Sequence, residues 1–198
     1  MNKLQEVSRN LRPGRVYRRA DLIKWSKSVD RHLLQLLENK TLTKLSGGLY
    51  CCPKITVFGK APADERELIK VFLKDDRFLL TSLNAYNSLG LGISQLYNET
   101  IVYNHKRHGR FKFAGRSFDF RIVSYFPKKI TEEFLFVDLA NNLDRLAENT
   151  TRLHAILKAK LTTLNKNNLI KAVKKYGNLQ SRKLFYSVLA NNEKVSAA

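Results

Sequence analysis

Two adjacent glycines, Gly47 and Gly48, separate two short strand-like runs in the segment LTKLSGGLYCC. Glycine adopts a positive φ at little steric cost, so a Gly–Gly pair between such runs predicts a tight β-hairpin. The Asn39–Lys40 pair upstream is typical of a helix end, which places a helix shortly before the hairpin. The chain is therefore predicted to pass from a helix through a short connection into a glycine turn.

The helix before the hairpin has a clear apolar face. At about 100° per residue, residues 28–39 place four apolar side chains on one side; these are Val29, Leu33, Leu36 and Leu37. A shorter helical pattern from Arg19 to Trp25 offers the core contacts Ala20, Leu22, Ile23 and Trp25, and residues 2–11 form a third helix. Three helices followed by a hairpin predict a winged helix-turn-helix domain over residues 1–60.

The polar side of the helix at residues 28–39 carries the candidate recognition residues, which are Ser28, Arg31, His32 and Gln35. In a winged helix these side chains are expected to face the major groove of DNA. Residues around the helix and the hairpin are expected to contact phosphates; these are Arg15, Tyr17, Arg18, Arg19, Lys24, Lys27 and Lys44, with Ser46 near the wing tip. The competing interpretation is a solvated helix face on a fold that also serves in protein binding.

The charge of the chain favours a polyanionic partner. Thirty-six Lys and Arg residues outnumber 17 Asp and Glu residues, which gives a formal net charge of +19. Residues 1–60 hold 13 of the basic side chains and only four acidic ones. Such an excess predicts attraction to nucleic acid first, with an anionic membrane or an acidic protein as lesser possibilities. Double-stranded DNA is the expected partner.

The adjacent cysteines Cys51 and Cys52 do not have the spacing of a metal knuckle, which needs two to four residues between its ligands. On a strand their side chains point to opposite faces, so one of them is expected to be buried. The HKRH segment, from His105 to His108, has ligand spacing, but its basic neighbours disfavour a cation. No metal and no cofactor are expected.

The rest of the chain, residues 61–198, is predicted to be a second α+β domain. A helix is expected from Ala63 to Lys74, a short helix near Leu83–Leu89, and then an antiparallel sheet formed by TIVYNH, RFKFAG and SFDFRIVSY. From Thr131 onward, apolar spacing predicts four helices and a frayed tail at residues 192–198. The fold class is therefore α+β, with a winged helix-turn-helix, a small antiparallel sheet and C-terminal helices.

An enzyme is not expected. A metal-dependent nuclease or transferase needs converging carboxylates, and the sheet segment RFKFAGRSFDFR offers only Asp119. No G-x-S-x-G or phosphate-binding glycine motif occurs in the sequence. No apolar run approaches the roughly 18 residues that span a bilayer, and the N-terminus lacks the apolar core of a secretory signal. A cytoplasmic protein is expected.

The order of these segments resembles the AbiEi antitoxins of bacterial type IV toxin–antitoxin systems. GRVYRRADL leads to the helix VDRHLLQLLENKTL and the wing KLSGGLYCCP, followed by LTSLNAYNSLGLGISQLYNETIVYNHKRHGRFKFAGRSFDFR. The resemblance runs from about Leu11 to Ala147. It implies a DNA-binding winged helix that represses its own operon and a second domain associated with neutralising a nucleotidyltransferase-like toxin encoded by the neighbouring gene.

The resemblance carries DNA contact onto the Ser28–Gln35 helix face and the Leu45–Leu49 wing, and it identifies no residues that touch the toxin. Binding to an inverted repeat, by a dimer or by two monomers that meet on DNA, is expected. A winged-helix adaptor without specific DNA binding is the alternative. A third possibility is an RNA-binding regulator that stacks bases on the sheet aromatics Phe111, Phe113, Phe118 and Phe120.

Overall fold

The computed structural model describes residues 3–92, 96–147, 150–161 and 164–195. The chain divides into two compact units. Unit 1 comprises Met1–Arg77 and Gly109–Phe118, and unit 2 comprises Phe78–His108 and Asp119–Ala198. The boundary predicted between residues 60 and 61 therefore falls inside unit 1. Residues 93–95 of the LGLGISQ segment and residues 196–198 of the predicted tail lie outside the described residues.

The elements alternate between helices and short strands. The helices are α1 (Lys3–Asn10), α2 (Arg19–Ile23), α3 (Val29–Glu38), α4 (Glu65–Leu73), α5 (Glu132–Asn141), α6 (Thr150–Lys160), α7 (Lys166–Tyr176) and α8 (Leu179–Val195), with 3₁₀ helices at Leu83–Leu89 and Leu143–Arg145. The strands are β1 (Val16–Arg18), β2 (Thr43–Ser46), β3 (Leu49–Cys51), β4 (Ile55–Thr56), β5 (Gly59–Lys60), β6 (Phe78–Thr81), β7 (Glu99–Asn104), β8 (Gly109–Phe113) and β9 (Arg116–Ile122). Their sheets have the orders β1-β3-β2, β4-β5 and β6-β7-β9-β8. The prediction of an α+β fold with small antiparallel sheets and C-terminal helices is confirmed.

The glycine turn forms the hairpin that the sequence predicts. Strands β2 and β3 pair antiparallel on either side of Gly47 and Gly48, and Gly48 has a φ of +72°. The register of β2 against β3 shifts between Lys44 and Ser46, which places a β-bulge at Leu45. Strand β1 pairs with the other edge of β3. The hairpin is thus one part of a three-stranded sheet.

The core of unit 1 forms between the helices and this sheet. The buried side of α3 consists of Val29, His32, Leu33 and Leu36, and it packs with Val7, Leu22, Leu42 and Tyr50. The expectation that Ala20 and Ile23 of α2 are core contacts is wrong, because Ala20 is exposed and Ile23 is 46% exposed. Helix α2 is only five residues long, so one buried leucine, Leu22, is enough to anchor it.

Both cysteines, rather than one, are buried. Cys51 ends strand β3 and Cys52 follows it, with exposures of 3% and 8%. The alternation of a strand stops after Cys51, so Cys52 is free to turn into the core. Burial raises the pKa of both thiols. Both side chains are therefore stabilised in the neutral form, which suits a packing role.

A second hairpin of unit 1 comes from a distant part of the sequence. Strand β8 turns at Ala114 and Gly115, where φ is +48° and +81°, into the first residues of β9. The rings of Phe111 and Phe113 lie 5.0 and 4.7 Å from the ring of Phe72 on α4. Phe113, Phe118 and Phe120 are at most 2% exposed. These buried rings are not available as a surface on which bases stack.

Unit 2 has its own core, built around α5. Helix α5 begins after Thr131, whose hydroxyl accepts a hydrogen bond from the Phe134 N–H and so caps the helix. Seven consecutive residues, Phe134–Ala140, are buried. They pack with leucines of the later helices, among them Leu153, Leu157 and Leu169. A helix buried all round belongs at the centre of its unit.

One member of that buried run is a carboxylate, and it organises a polar network. Asp138 accepts hydrogen bonds from the hydroxyls of Tyr86 (2.9 Å) and Tyr103 (2.5 Å). Asn142 donates to the Asp138 carbonyl and accepts from Arg121, which also donates to Asp119. Burial raises the pKa of Asp138, and burial together with Asp138 raises the pKa of both tyrosines. The sequence does not indicate these residues as a group, since they come from four separate segments.

No helix within the described residues is long and apolar enough to cross a lipid bilayer.

Candidate nucleic-acid interface

Helix α3 has one side that faces away from the core of unit 1. Its apolar residues at positions 29, 33 and 36 are buried, so the helix turns Arg31 and Gln35 outward, and both are exposed. Leu34 lies on the same outer side and is 62% exposed. A guanidinium and an amide on one helix face are groups that form bidentate hydrogen bonds with guanine and adenine edges. The sequence correctly predicts that Arg31 and Gln35 point into solvent.

The residues at the start of α3 meet in one groove. Lys27, Ser28 and Arg31 line a cavity of about 490 Å³ together with Lys24 and Lys3. Lys27 and Ser28 are exposed, and the groove also contains one acidic side chain, Glu6, which pairs with Lys3 at 2.9 Å. The predicted contact residues Lys27, Ser28 and Arg31 are therefore neighbours in space as well as in sequence. An excess of cations along a groove is the electrostatic arrangement that attracts a phosphate chain.

His32 does not belong to this exposed face, so its prediction as a contact with the major groove of DNA is wrong. The imidazole is only 3% exposed, and its Nδ1 lies 2.8 Å from the Ser26 hydroxyl, to which it is hydrogen-bonded. Ser26 also accepts a hydrogen bond from the Ser28 N–H at the start of α3. Position 32 lies three residues after Val29 and four before Leu36, which is the spacing of the buried side. His32 therefore fixes the turn between α2 and α3.

Arg19 is exposed but already has a carboxylate partner. Its Nε and Nη2 donate to the two oxygens of Asp30 at 2.7 and 2.6 Å, a bidentate pair that links α2 to the first turn of α3. The hydrogen bond from Arg19 lowers the pKa of Asp30. A phosphate that approaches Arg19 must compete with this carboxylate. The pair sets the geometry of the two helices, whereas the sequence predicts a direct phosphate contact.

Arg18 and Tyr17, both predicted to contact phosphates, are half-buried and bind within unit 1. Arg18 donates from Nε to the Val71 carbonyl and from Nη2 to the Phe72 carbonyl, both at 2.6 Å. These carbonyls belong to the last turn of α4, where the helix leaves acceptors without helical partners. The hydroxyl of Tyr17 accepts from the Arg12 N–H at 2.8 Å, and its ring meets Trp25 edge to face. Adjacent residues of β1 point to opposite faces of the strand, and each of these two side chains finds a partner within unit 1.

The contact between Arg18 and α4 leads to a stability prediction. Arg18→Ala removes charge-assisted hydrogen bonds from two partly buried carbonyls, and we expect the free energy of unfolding to fall by about 2 kcal/mol. Urea unfolding followed by the fluorescence of Trp25, the single tryptophan, measures the change. Arg15→Ala is the matched control, because the Arg15 side chain is 61% exposed and its pair with Glu67 contributes less than about 1 kcal/mol. Equal losses in the two variants would contradict the capping role.

The β2–β3 hairpin, which the sequence predicts to be a wing, carries the exposed cation Lys44. Lys44 on β2 is exposed, whereas Ser46 is half-buried beside the buried Leu45. The Leu45 carbonyl accepts a hydrogen bond from the Ala114 N–H, so the β8–β9 hairpin lies against the outer edge of β2. Of the two wing predictions, the structure leaves Lys44 accessible and partly encloses Ser46.

No family model, no curated protein and no solved structure matches this chain. Within the described ranges, no group of three or more His, Cys, Asp or Glu side chains could hold a metal ion.

Two features of unit 1 were missed from the sequence. Strand β8 carries the exposed Arg110 and Lys112 into unit 1, opposite in direction to the rings of Phe111 and Phe113. The alternation R-F-K-F in the sequence indicates that the cations and the rings point in opposite directions. It does not indicate which part of the chain the strand packs with. The β4–β5 hairpin holds Val57 and Phe58 at its tip, which are 94% and 97% exposed. Contiguous exposed apolar surface is a common feature of sites that bind other proteins.

Proposed function

We propose that unit 1 is a winged helix-turn-helix domain and that the protein is a DNA-binding transcriptional repressor and antitoxin. The observation that carries the proposal is the outward side of α3, where Arg31 and Gln35 stand beside a groove lined by Lys24 and Lys27. The antiparallel hairpin β2–β3 follows α3 directly and supplies the wing. The excess of positive charge supports a polyanionic partner, and the buried His32 and Ser26 hold the helix pair in one arrangement.

In this proposal each exposed residue has a role. Arg31 and Gln35 read base edges in the major groove, while Ser28, Lys27 and Lys44 contact phosphates and set the register of the protein on the duplex. Arg15 adds a phosphate contact from the segment before β1. The half-buried Arg18 and the paired Arg19 are removed from the contact set, because their hydrogen bonds hold α4 and α3 in place.

The test separates base reading from phosphate binding. A band-shift titration compares the DNA upstream of the gene with a shuffled duplex of the same length. Arg31→Ala and Gln35→Ala are each expected to reduce the preference for the natural DNA about tenfold, because a bidentate base contact discriminates by about 1–3 kcal/mol. Lys44→Ala is expected to weaken binding to both duplexes by the same factor.

Lys70→Ala is the matched control for charge. Lys70 is exposed on α4, away from the residues of the groove, so its removal should leave both affinities within about twofold of the parent protein. If Arg31→Ala and Lys44→Ala change the two duplexes in the same way, the assignment of α3 as the reading helix is wrong. If the parent protein binds neither duplex, the repressor proposal fails as a whole.

The antitoxin role is supported by the resemblance to AbiEi proteins and is tested separately. A nucleotidyltransferase-like gene next to this one, when expressed alone, is expected to arrest growth, and co-expression of this protein is expected to restore it. The absence of such rescue would remove the antitoxin role without affecting the proposal of DNA binding.

The adaptor alternative has one observation in its favour, the exposed apolar tip Val57–Phe58. An adaptor predicts that Phe58→Ser abolishes partner binding and that the protein retains no DNA at physiological salt. If Phe58→Ser still binds the upstream duplex at physiological salt, the result favours the repressor over the adaptor.

A further inference from the structure

A cavity of about 580 Å³ lies entirely within unit 2. This volume is within the range of about 300–1,000 Å³ that is typical of sites for small molecules. Its walls come from the segment after β9, from α5 and from the junction of α7 and α8. We propose that this cavity binds a nucleoside phosphate, with cations at one wall for the phosphates and tyrosine rings for the base.

The cationic wall is formed by Lys174, Lys175 and Arg182, all of which are exposed. Arg182 donates from Nη2 to the Lys174 carbonyl at 2.8 Å, which keeps its guanidinium at the C-terminal end of α7. No carboxylate of the described residues forms an ion pair with any of the three. The C-terminal end of a helix such as α7 carries a partial negative charge and so favours nearby cations. Three cations without a carboxylate partner on the wall of one cavity nevertheless attract an anion.

The other two arginines of the cavity already share a carboxylate partner. Arg121 and Arg145 each donate to the same oxygen of Asp119 at 2.8 Å, so both guanidinium groups are engaged before a ligand binds. Asp144 is the exposed acid of the lining. The phosphate position is therefore assigned to Lys174, Lys175 and Arg182.

The aromatic wall lies next to these lysines. The ammonium of Lys175 is 5.9 Å from the ring centre of Tyr125 and 5.6 Å from that of Tyr176. Tyr125 is 62% exposed and offers a ring face, whereas Phe126 is stacked on His105 and Phe134 is buried. A purine or pyrimidine stacks on such a tyrosine whatever its identity, because each base has a π face. In a nucleotide, the phosphate and the base are attached to the same sugar. One nucleotide can therefore contact the Lys175 ammonium with its phosphate and the neighbouring tyrosine ring with its base.

The floor of the cavity is rigid and internally satisfied. Asn141 donates to the Tyr176 carbonyl at 2.9 Å and accepts from the Ser181 hydroxyl at 2.7 Å. Asn142 and Asp138 are held in the buried network of α5. Because these groups are fixed before a ligand arrives, little ordering free energy is lost on binding. Because the polar groups of the floor already have protein partners, the ligand is recognised by the charges and the tyrosine rings of the walls.

Calorimetric titration of the full chain tests the proposal. The probes are ATP, GTP, CTP and UTP at about 0.15 M NaCl, with adenosine and inorganic triphosphate as half-ligands. We expect at least one nucleotide to bind at one site per chain and each half-ligand to bind at least about tenfold more weakly, because the base and the phosphates contact different walls. Binding of triphosphate as tight as that of the nucleotides would reduce the site to general attraction by the +19 chain and overturn the proposal.

Variants locate the site. Lys174→Ala/Lys175→Ala and Tyr125→Ala should each weaken nucleotide binding at least about tenfold. The matched controls are Lys171→Ala/Lys183→Ala and Tyr186→Ala, which are exposed residues of α7 and α8 outside the cavity and should leave affinity within twofold. Equal effects in variants and controls would overturn the site. Failure of all four nucleotides to bind, or binding only of an acidic peptide such as hexaglutamate or of a 5′-phosphorylated oligonucleotide, would overturn the ligand.

The DNA-binding proposal fails independently of this one. Lys174→Ala/Lys175→Ala lies in unit 2, so the band-shift preference set by Arg31 and Gln35 is measured on separate residues.

Discussion

Asp138→Ala is expected to lower the free energy of unfolding by about 3–5 kcal/mol, because it removes the shared acceptor of a buried network. The hydroxyls of Tyr86 and Tyr103 both donate to this carboxylate, and the three residues are at most 6% exposed. Without it, the two buried tyrosine hydroxyls lose the acceptor of their hydrogen bonds, and Arg121 loses a nearby negative charge while it keeps its hydrogen bonds to Asp119, Asn142 and Tyr103. Urea unfolding followed by far-ultraviolet circular dichroism measures the loss.

Two further substitutions identify the cause. Asp138→Asn keeps the shape and one acceptor oxygen, so its loss is expected to be smaller, about 1–2 kcal/mol. Asp144→Ala removes an exposed carboxylate three residues after Asn141 and should change the free energy by less than about 0.5 kcal/mol. A loss in Asp138→Ala no larger than that in Asp144→Ala would show that the network does not stabilise unit 2.

The difference in the free energy of unfolding between the parent protein and Asp138→Asn is expected to depend on pH in one direction. Burial raises the pKa of Asp138 in the folded state above the ordinary value of 3.8, so the folded protein binds a proton there more readily than the unfolded chain does. The parent protein therefore gains stability relative to Asp138→Asn as the pH falls through this raised pKa, and the gain is complete below 3.8. Between this raised pKa and the alkaline range in which Tyr86 and Tyr103 ionise, the difference is constant. A difference that instead shrinks on acidification would contradict the burial of a carboxylate with a raised pKa.

Binding to the upstream duplex is expected to weaken on the order of 10³-fold between about 50 and 200 mM salt, if about six phosphates are neutralised. The exposed cations of unit 1 near α3 and the β2–β3 hairpin that would neutralise them include Arg12, Arg15, Lys24, Lys27 and Lys44. Each neutralised phosphate releases bound counterions, which gives a slope of about −0.9 per contact in a plot of log affinity against log salt. Fluorescence anisotropy at four salt concentrations measures this slope.

Single substitutions divide the slope among residues. Lys44→Ala should make it less steep by about 0.9, and Lys70→Ala, on α4, should leave it unchanged. A slope close to zero in the parent protein would exclude phosphate binding and favour the adaptor. If the slope is steep but Lys44→Ala and Lys70→Ala change it equally, the protein attracts DNA through its overall positive charge. The contact between Lys44 and a phosphate would then be wrong.

Local patterns in the sequence predicted the elements well. The apolar spacing of Val29, Leu33 and Leu36 and the Gly47–Gly48 turn are properties of neighbouring residues, and the helix and hairpin they predict are present. Thr131 and Asp64 likewise accept the capping hydrogen bonds expected of helix starts. These signals survive because backbone geometry and short-range hydrogen bonding are decided within a few residues.

The candidate site was predicted less completely. The periodicity of α3 shows which residues are opposite the leucines, so Arg31 and Gln35 were found. It assigned His32 to the wrong side because position 32 lies at the edge of the apolar stripe, and only the Ser26 hydroxyl makes burial of its ring favourable. Arg18 has the same difficulty, since its acceptors at Val71 and Phe72 are more than fifty residues away.

The sequence alone determined the charge, the helix periods, the turn and hence the α+β class of this protein. Only the tertiary structure decided that residues 109–118 complete unit 1, that Asp138 collects two tyrosine hydroxyls, and that Lys175 lies beside Tyr125. The reason is physical: propensity and periodicity act over one or two turns, whereas the partner of a buried or cationic side chain is chosen by packing between segments far apart in the chain.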